Sequence, residues 1–125
     1  MPSRERISNV DTAWLRMDRP SNLMQIVGVM LFDGKLDFAR LKLAVEQRML
    51  VHRRFVQRVV ADGTGYCWQD DPDFCLGNHL RRVVRKGRLG KAGLQRFVAD
   101  LAAKPLDQRR PLWDCLLYTS DAADE

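Results

Sequence analysis

An α+β domain, with helices laid over a sheet, is the fold class this sequence predicts, and three observations predict it. Gln25 to Phe32 (QIVGVMLF) is an apolar run of strand length, closed by the turn pair Asp33-Gly34. Leu94, Phe97, Val98, Leu101 and Ala102 fall at i, i+3, i+4, i+7 and i+8, the signature of an amphipathic helix. Between them lie short β-type runs separated by Gly, Asp and Pro, the pattern of strands joined by turns.

Taken in order, Ser8 followed three residues later by Asp11 forms a capping box with Asp in place of Glu. Val10, Ala13, Trp14 and Met17 follow at helical spacing, so a short helix is expected there, stopped by Pro20, with Trp14 as a core anchor. Gln25–Phe32 is apolar at successive positions rather than alternating, as a strand covered on both faces would be. Asp37 suits an N-cap for a helix from Phe38 to about Val51, whose apolar face is Phe38, Leu41, Val45 and Met49.

Phe55 to Val60 reads as a second strand, turned by Asp62-Gly63-Thr64-Gly65 into Tyr66 to Gln69. Asp70 to Asn78 is loop, and its acids Asp70, Asp71 and Asp73 lack cation-loop spacing, so a solvated turn is expected. His79 to Val84 is a third strand beside the basic residues Arg81, Arg82, Arg85, Lys86 and Arg88. A charged exposed edge that discourages aggregation is the favoured reading of those cations, ahead of an anion-attracting patch. The helix of the apolar stripe ends near Ala103.

Pro105 and Pro111 then exclude a continuous helix over Lys104–Asp114. Asp107 and Gln108 make the turn of a stiff elbow, and Leu112 and Trp113 lead into a buried strand.

Composition narrows the classes. The chain has 125 residues, 46% of them hydrophobic and 30% charged, which describes one soluble globular domain. The net charge of +5 favours anionic partners, such as phosphate-bearing substrates, acidic lipid headgroups or nucleic acid. Cys67, Cys75 and Cys115 show no CxxC spacing, so neither a zinc site nor a disulfide framework is expected and a cytoplasmic setting is the default. Met1 to Val10 has no apolar core of a signal peptide, and the longest apolar run is too short to span a bilayer. Any membrane contact is therefore expected to be peripheral. No nucleotide-binding glycine loop and no GxSxG elbow occurs.

PLDxxRPLW, ending at Trp113, resembles the segment leading to the active-site strand of the bacterial wax ester synthase/diacylglycerol acyltransferase family. So do Ile7–Asp11, Trp14–Met17, Asn22–Gln25, Leu31–Gly34 with Leu36–Phe38, Arg53–Phe55 on to Val59, and Trp68–Phe74 with His79. The resemblance covers roughly residues 6 to 114. It implies a chloramphenicol-acetyltransferase-like fold, of which this chain is part of the N-terminal half. It also implies acyl-CoA as co-substrate, with diacylglycerol or a long-chain alcohol as acceptor, and no bound cofactor or metal.

The family's catalytic motif is HHxxxDG, beyond the PLW segment. Here the histidines are His52 and His79, and neither has that context, so no catalytic residue is assigned. Pro111, Leu112 and Trp113 are the site candidates, as a wall of the substrate tunnel or as structural supports of the catalytic strand. The chain is thus expected to be an inactive N-terminal fragment.

After Asp114 the sequence Cys115–Glu125 resembles the translation of a sequencing adapter, so residues 1–114 are taken as the domain and 115–125 as a non-native tail. Without Asp121, Asp124 and Glu125, 21 basic face 13 acidic side chains, a net +8. The alternative is a small basic nucleic-acid-binding or interaction module without catalysis. It lacks zinc ligands, stacking aromatics at RNA-binding spacing and a recognition helix, so no nucleic-acid partner is expected.

Overall fold

The computed structural model describes residues 4–85, 87 and 89–120. It is α+β, and each element rests on local chemistry. Arg4–Arg6 is strand β1, after which Ser8 caps helix α1 (Asn9–Met17) by accepting from the Asp11 amide at 3.2 Å. Asp37 caps helix α2 (Phe38–Ala44) through the Ala39 amide at 2.9 Å. The chain then widens into a π-helical turn over Val45–Met49, where the Leu50 amide reaches back to the Val45 carbonyl at 3.0 Å.

Strands β2 (Gln57–Asp62) and β3 (Gly65–Asp70) form an antiparallel hairpin with Asp62 opposite Gly65. The turn runs through Gly63 at φ +62°, a conformation open to glycine at no steric cost. β1 adds to the far edge of β3, giving a three-stranded sheet in the order β1-β3-β2. Strand β4 (Leu80–Arg85) pairs in parallel with β5 (Cys115–Ser120), a second sheet that helix α3 (Lys91–Ala102) serves as crossover. α3 packs on this sheet through Phe97, whose ring meets Tyr118 edge-on at 5.2 Å while Arg85 lies over it at 5.2 Å. The strands thus occupy two sheets, one antiparallel and one parallel, where helices over a single sheet are expected from the sequence.

Other expectations shift by a residue or two. The run at Phe55 opens with a 3₁₀ turn over Arg53–Val56 before β2 starts at Gln57. The strand expected from Trp113 starts at Cys115, and the one expected from His79 starts at Leu80. β1 has no periodic signal, being Arg-Glu-Arg. Of the basic residues near β4, Arg81, Arg82 and Arg85 are exposed, whereas Lys86 and Arg88 lie outside the described residues, as do residues 121–125 of the tail.

Two corrections matter more. Trp14 is 52% exposed rather than a core anchor, because α1 stands off the sheets and buries none of its residues. Gln25–Phe32 forms no strand: Ile26 is fully exposed and Met30 is 81% exposed. A strand must pass its amides and carbonyls to a neighbour. Among the described residues none lies alongside this one.

The buried apolar side chains among the described residues are Ile7, Val45, Cys67, Leu80, Pro111 and Leu117, a small core. All three cysteines are free. No helix among the described residues is long and apolar enough to cross a membrane.

Candidate functional site

The elbow after α3 is built by its charges. Asp107 Oδ1 accepts from the Arg109 amide at 3.0 Å and from Arg109 Nε at 3.1 Å, and Oδ2 accepts from Arg109 Nη2 at 3.1 Å. The Arg110 amide adds a turn bond to the Asp107 carbonyl at 3.2 Å. These donors from Arg109, with its charge and that of Arg110, hold the Asp107 carboxyl down to about 2. The same interactions raise the Arg109 guanidinium above its ordinary range.

The elbow also gathers the chain before Gln25. Gln108 Nε2 donates to Asp18 Oδ2 at 3.1 Å, and Asp18 Oδ1 accepts the Met24 amide at 2.8 Å. Gln25 Nε2 donates to the Ala102 and Lys104 carbonyls at 3.1 and 2.9 Å. The last turn of α3 leaves carbonyls without helical partners, and Gln25 takes two of the carbonyls there.

Past the elbow, Pro111 is buried while Leu112 and Trp113 are half-buried. Trp113 is held on three sides. Its indole N–H donates to the Phe55 carbonyl at 2.8 Å, and its ring meets Phe55 edge-on at 5.8 Å. Its other neighbour is His79, stacked at 4.8 Å and itself stacked on Phe74 at 5.2 Å. His79 Nδ1 lies 2.7 Å from the Trp113 carbonyl, and because a carbonyl only accepts, this nitrogen carries the proton. The His79 carbonyl in turn accepts the Cys115 amide at 2.6 Å. His79 is 3% exposed, so its ring and main chain clasp both ends of the 113–115 segment.

Pro111, Leu112 and Trp113 all border one groove of about 2060 Å³. It is also lined by residues of the Gln25–Phe32 segment, α1, α2, α3 and the β4–β5 sheet. Ligand pockets for small molecules are typically ~300–1,000 Å³, so this space exceeds such a pocket. The three residues singled out in the sequence are thus all among its lining residues. His52 stands apart, exposed at the start of the 3₁₀ turn.

A second polar cluster carries no sequence signal. Gln57, 2% exposed, accepts from Arg54 Nη1 at 2.7 Å and donates to Asp70 Oδ1 at 3.0 Å. The bond from Gln57, then that from Arg53, lowers the Asp70 carboxyl from its ordinary range. Arg54 also pairs with Glu5 at 3.0 Å and lies over the Trp68 ring at 4.8 Å. These contacts fasten β1, β2 and β3 to the 3₁₀ turn at Arg53–Val56. Asp71 Oδ1 accepts the Asp73 amide at 2.9 Å, so these acids serve the loop, and among the described residues no three potential metal ligands converge.

Comparison with known proteins finds related sequences. The model of the wax ester synthase/diacylglycerol acyltransferase catalytic domain matches residues 7–118. A Mycobacterium tuberculosis protein named as a diacylglycerol O-acyltransferase is 29% identical over 97% of this chain and 26% of its own length. Another from that organism, also so named, is 32% identical over 90% of this chain and 44% of its own length. A Mycobacterium bovis relative with the same name is 45% identical over 38% of this chain and 10% of its own length. The chain thus spans between about a quarter and under half of the first two relatives. No solved structure matches it.

Proposed function

The chain belongs to the wax ester synthase/diacylglycerol acyltransferase family, and from that premise we propose that it is the N-terminal part of an acyl-CoA-dependent O-acyltransferase. The full enzyme esterifies diacylglycerol or a long-chain alcohol, giving triacylglycerol or wax ester. The observation that carries this reading is the family match, which includes Pro111, Leu112 and Trp113. In this reaction the alcohol oxygen attacks the thioester carbonyl, the C–S bond breaks, and a base takes the hydroxyl proton as the CoA thiol leaves. An imidazole suits that base, and the HHxxxDG motif that would supply it is not in this sequence. The chain by itself is therefore inactive.

The fold we infer for the complete enzyme is chloramphenicol-acetyltransferase-like, with this chain in its first half. Pro111, Leu112 and Trp113 would hold the approach to the catalytic strand and bound the substrate path. What supports this is their position on the groove wall. Acyl-CoA and the acceptor are the partners, with no cofactor bound. The enzyme works on the cytoplasmic side, peripherally at the membrane face or at lipid inclusions. Residues 115–125 we read as adapter-derived, and sequencing across Asp114 in the source DNA decides it.

To test the function, the full gene is expressed and incubated with a long-chain acyl-CoA and either diacylglycerol or a long-chain alcohol. Acceptor-dependent thiol release and ester formation are expected, with none from the 125-residue chain. A full-length protein that contains no HHxxxDG, or transfers to neither acceptor, refutes the proposal.

A further inference from the structure

Between α1 and the β2–β3 turn lies a cleft of about 630 Å³, which shares Ile7 alone with the lining of the large groove. Arg16 reaches from α1 to the turn, donating from Nη2 to the Thr64 carbonyl at 2.7 Å. Arg6 approaches the next residue from β1: a Cβ on Gly65 would lie 3.0 Å from Arg6 Nη2. Two guanidiniums thus meet adjacent residues of one turn, and the bare glycine leaves room for the second. Asn9 and Thr12, three positions apart and so on one side of α1, complete the polar lining.

No acid offsets these charges. None lines the cleft, and among the described residues neither Arg6 nor Arg16 pairs with a carboxylate. The acids nearest in sequence are engaged elsewhere. Glu5 pairs with Arg54 at 3.0 Å, Asp62 accepts from Cys67 Sγ at 3.2 Å, and Asp11 lines the large groove. A guanidinium has several N–H donors and no acceptor, so most of those on Arg6 and Arg16 face the cleft unspent.

A ligand here must bring several acceptors and more than one negative charge. A carboxylate or a phosphodiester brings a single charge, enough for one guanidinium. A phosphomonoester carries about −1.5 to −2 at neutral pH on three acceptor oxygens, which guanidiniums grip through paired N–H bonds. We propose that the cleft between α1 and the β2–β3 turn binds a phosphomonoester, with Arg6 and Arg16 on its oxygens and Asn9 and Thr12 donating to the same group. The volume falls within the ~300–1,000 Å³ of small-molecule sites, so there is room for the organic part as well. A lipid headgroup and a soluble ester both present this chemistry. The apolar row Val10, Trp14 and Met17 on α1, each at least 50% exposed, would meet the acyl chains of the first. The site does not depend on the acyltransferase reading.

The test titrates the complete protein with glycerol 3-phosphate by calorimetry. It also floats the protein with phosphatidylcholine vesicles containing phosphatidate or, at equal surface charge, phosphatidylserine. Arg6→Gln and Arg16→Gln are each expected to weaken phosphomonoester binding about tenfold, because each removes charge-assisted bonds. Arg40→Gln takes the same charge from an exposed position on α2 and is expected to stay within about twofold at physiological salt. Binding of the soluble ester with no preference for phosphatidate identifies a soluble source; a phosphatidate preference that both cleft variants abolish identifies the lipid. Equal losses in all three variants, binding indifferent to Arg6 and Arg16, or no binding of either ligand overturns the proposal. So does equal retention on phosphatidate and phosphatidylserine without binding of the soluble ester. Arg6→Lys and Arg16→Lys cover the case of a glutamine variant that fails to fold: they keep the charge, lose the fork, and are expected to weaken the ester at unchanged Tm.

Discussion

His79 is the residue whose replacement tests the elbow most directly. Its ring is 3% exposed, donates from Nδ1 to the Trp113 carbonyl at 2.7 Å, and is sandwiched between Phe74 and Trp113. His79→Phe preserves the stack and removes the N–H, so the Trp113 carbonyl loses that donor. Such a loss costs about 1–3 kcal/mol. His79→Ala also removes two aromatic contacts, each ~0.5–1.5 kcal/mol, and leaves a cavity, so it is expected to cost about 3–5 kcal/mol. Against a typical total of ~5–15 kcal/mol, the alanine variant approaches unfolding, which makes the phenylalanine variant the informative one. Urea titration of the 125-residue chain, followed by tryptophan fluorescence and far-ultraviolet dichroism, provides the measure. With an m-value of ~1–3 kcal/mol/M, His79→Phe is expected to lower the midpoint by about 1 M at unchanged m. A midpoint within about 0.2 M of the parent refutes the clasp, since the carbonyl would then be satisfied without the imidazole.

Three further outcomes follow from the described contacts. Gln57→Leu keeps the volume but removes the bonds to Arg54 and Asp70, and is expected to lower the midpoint in the same titration; an unchanged midpoint contradicts the network. Asp107 titrates in the folded chain at about 2, below its ordinary 3.8, so its contribution to stability is present above 3.8 and disappears as pH falls through 2. Carboxyl-carbon NMR reads that value directly, and the stability difference between the parent and Asp107→Asn should vanish over the same window. Gly63→Ala forces an alanine to φ +62° with nothing within 4 Å to clash, so the cost is backbone alone, about 1 kcal/mol; Gly63→Asn should cost clearly less.

What the sequence made legible is what local chemistry decides. Ser8 and Asp37 announce their helices by accepting an amide two or three residues ahead, and Gly63 announces its hairpin by the sign of φ. The stripe from Leu94 to Ala102 identifies α3 because its partners lie one helical turn apart. β1 escaped because Arg-Glu-Arg has no apolar period, and its place beside β3 is set by register and not by composition. At the site, Pro111, Leu112 and Trp113 were visible as an elbow. The clasp from His79 was not, because it joins residues 34 apart in sequence. Gln57 and Asp70 carried no motif for the same reason. Gln25–Phe32 shows the converse: its sequence encodes burial that its surroundings here do not supply.

Trp113 is where the two readings of the elbow can be separated. As an anchor it works through its indole N–H on the Phe55 carbonyl and its stack with His79; as a wall it works through the face it turns to the groove. Trp113→Phe removes the hydrogen bond and keeps much of the aromatic surface. An anchor therefore predicts a stability loss of about 0.5–1.5 kcal/mol in the full-length enzyme, with the same relative kcat/KM across acyl-CoAs of different chain length. A wall predicts the reverse, because widening a substrate path changes the discrimination between neighbouring chain lengths by ~1–3 kcal/mol per methylene while barely touching the urea midpoint. The three-sided fixation of the ring favours the anchor. A ring pinned by one hydrogen bond, one edge contact and one stack is positioned to hold the start of the next strand, and an altered chain-length profile at unchanged stability would show that reasoning to be wrong.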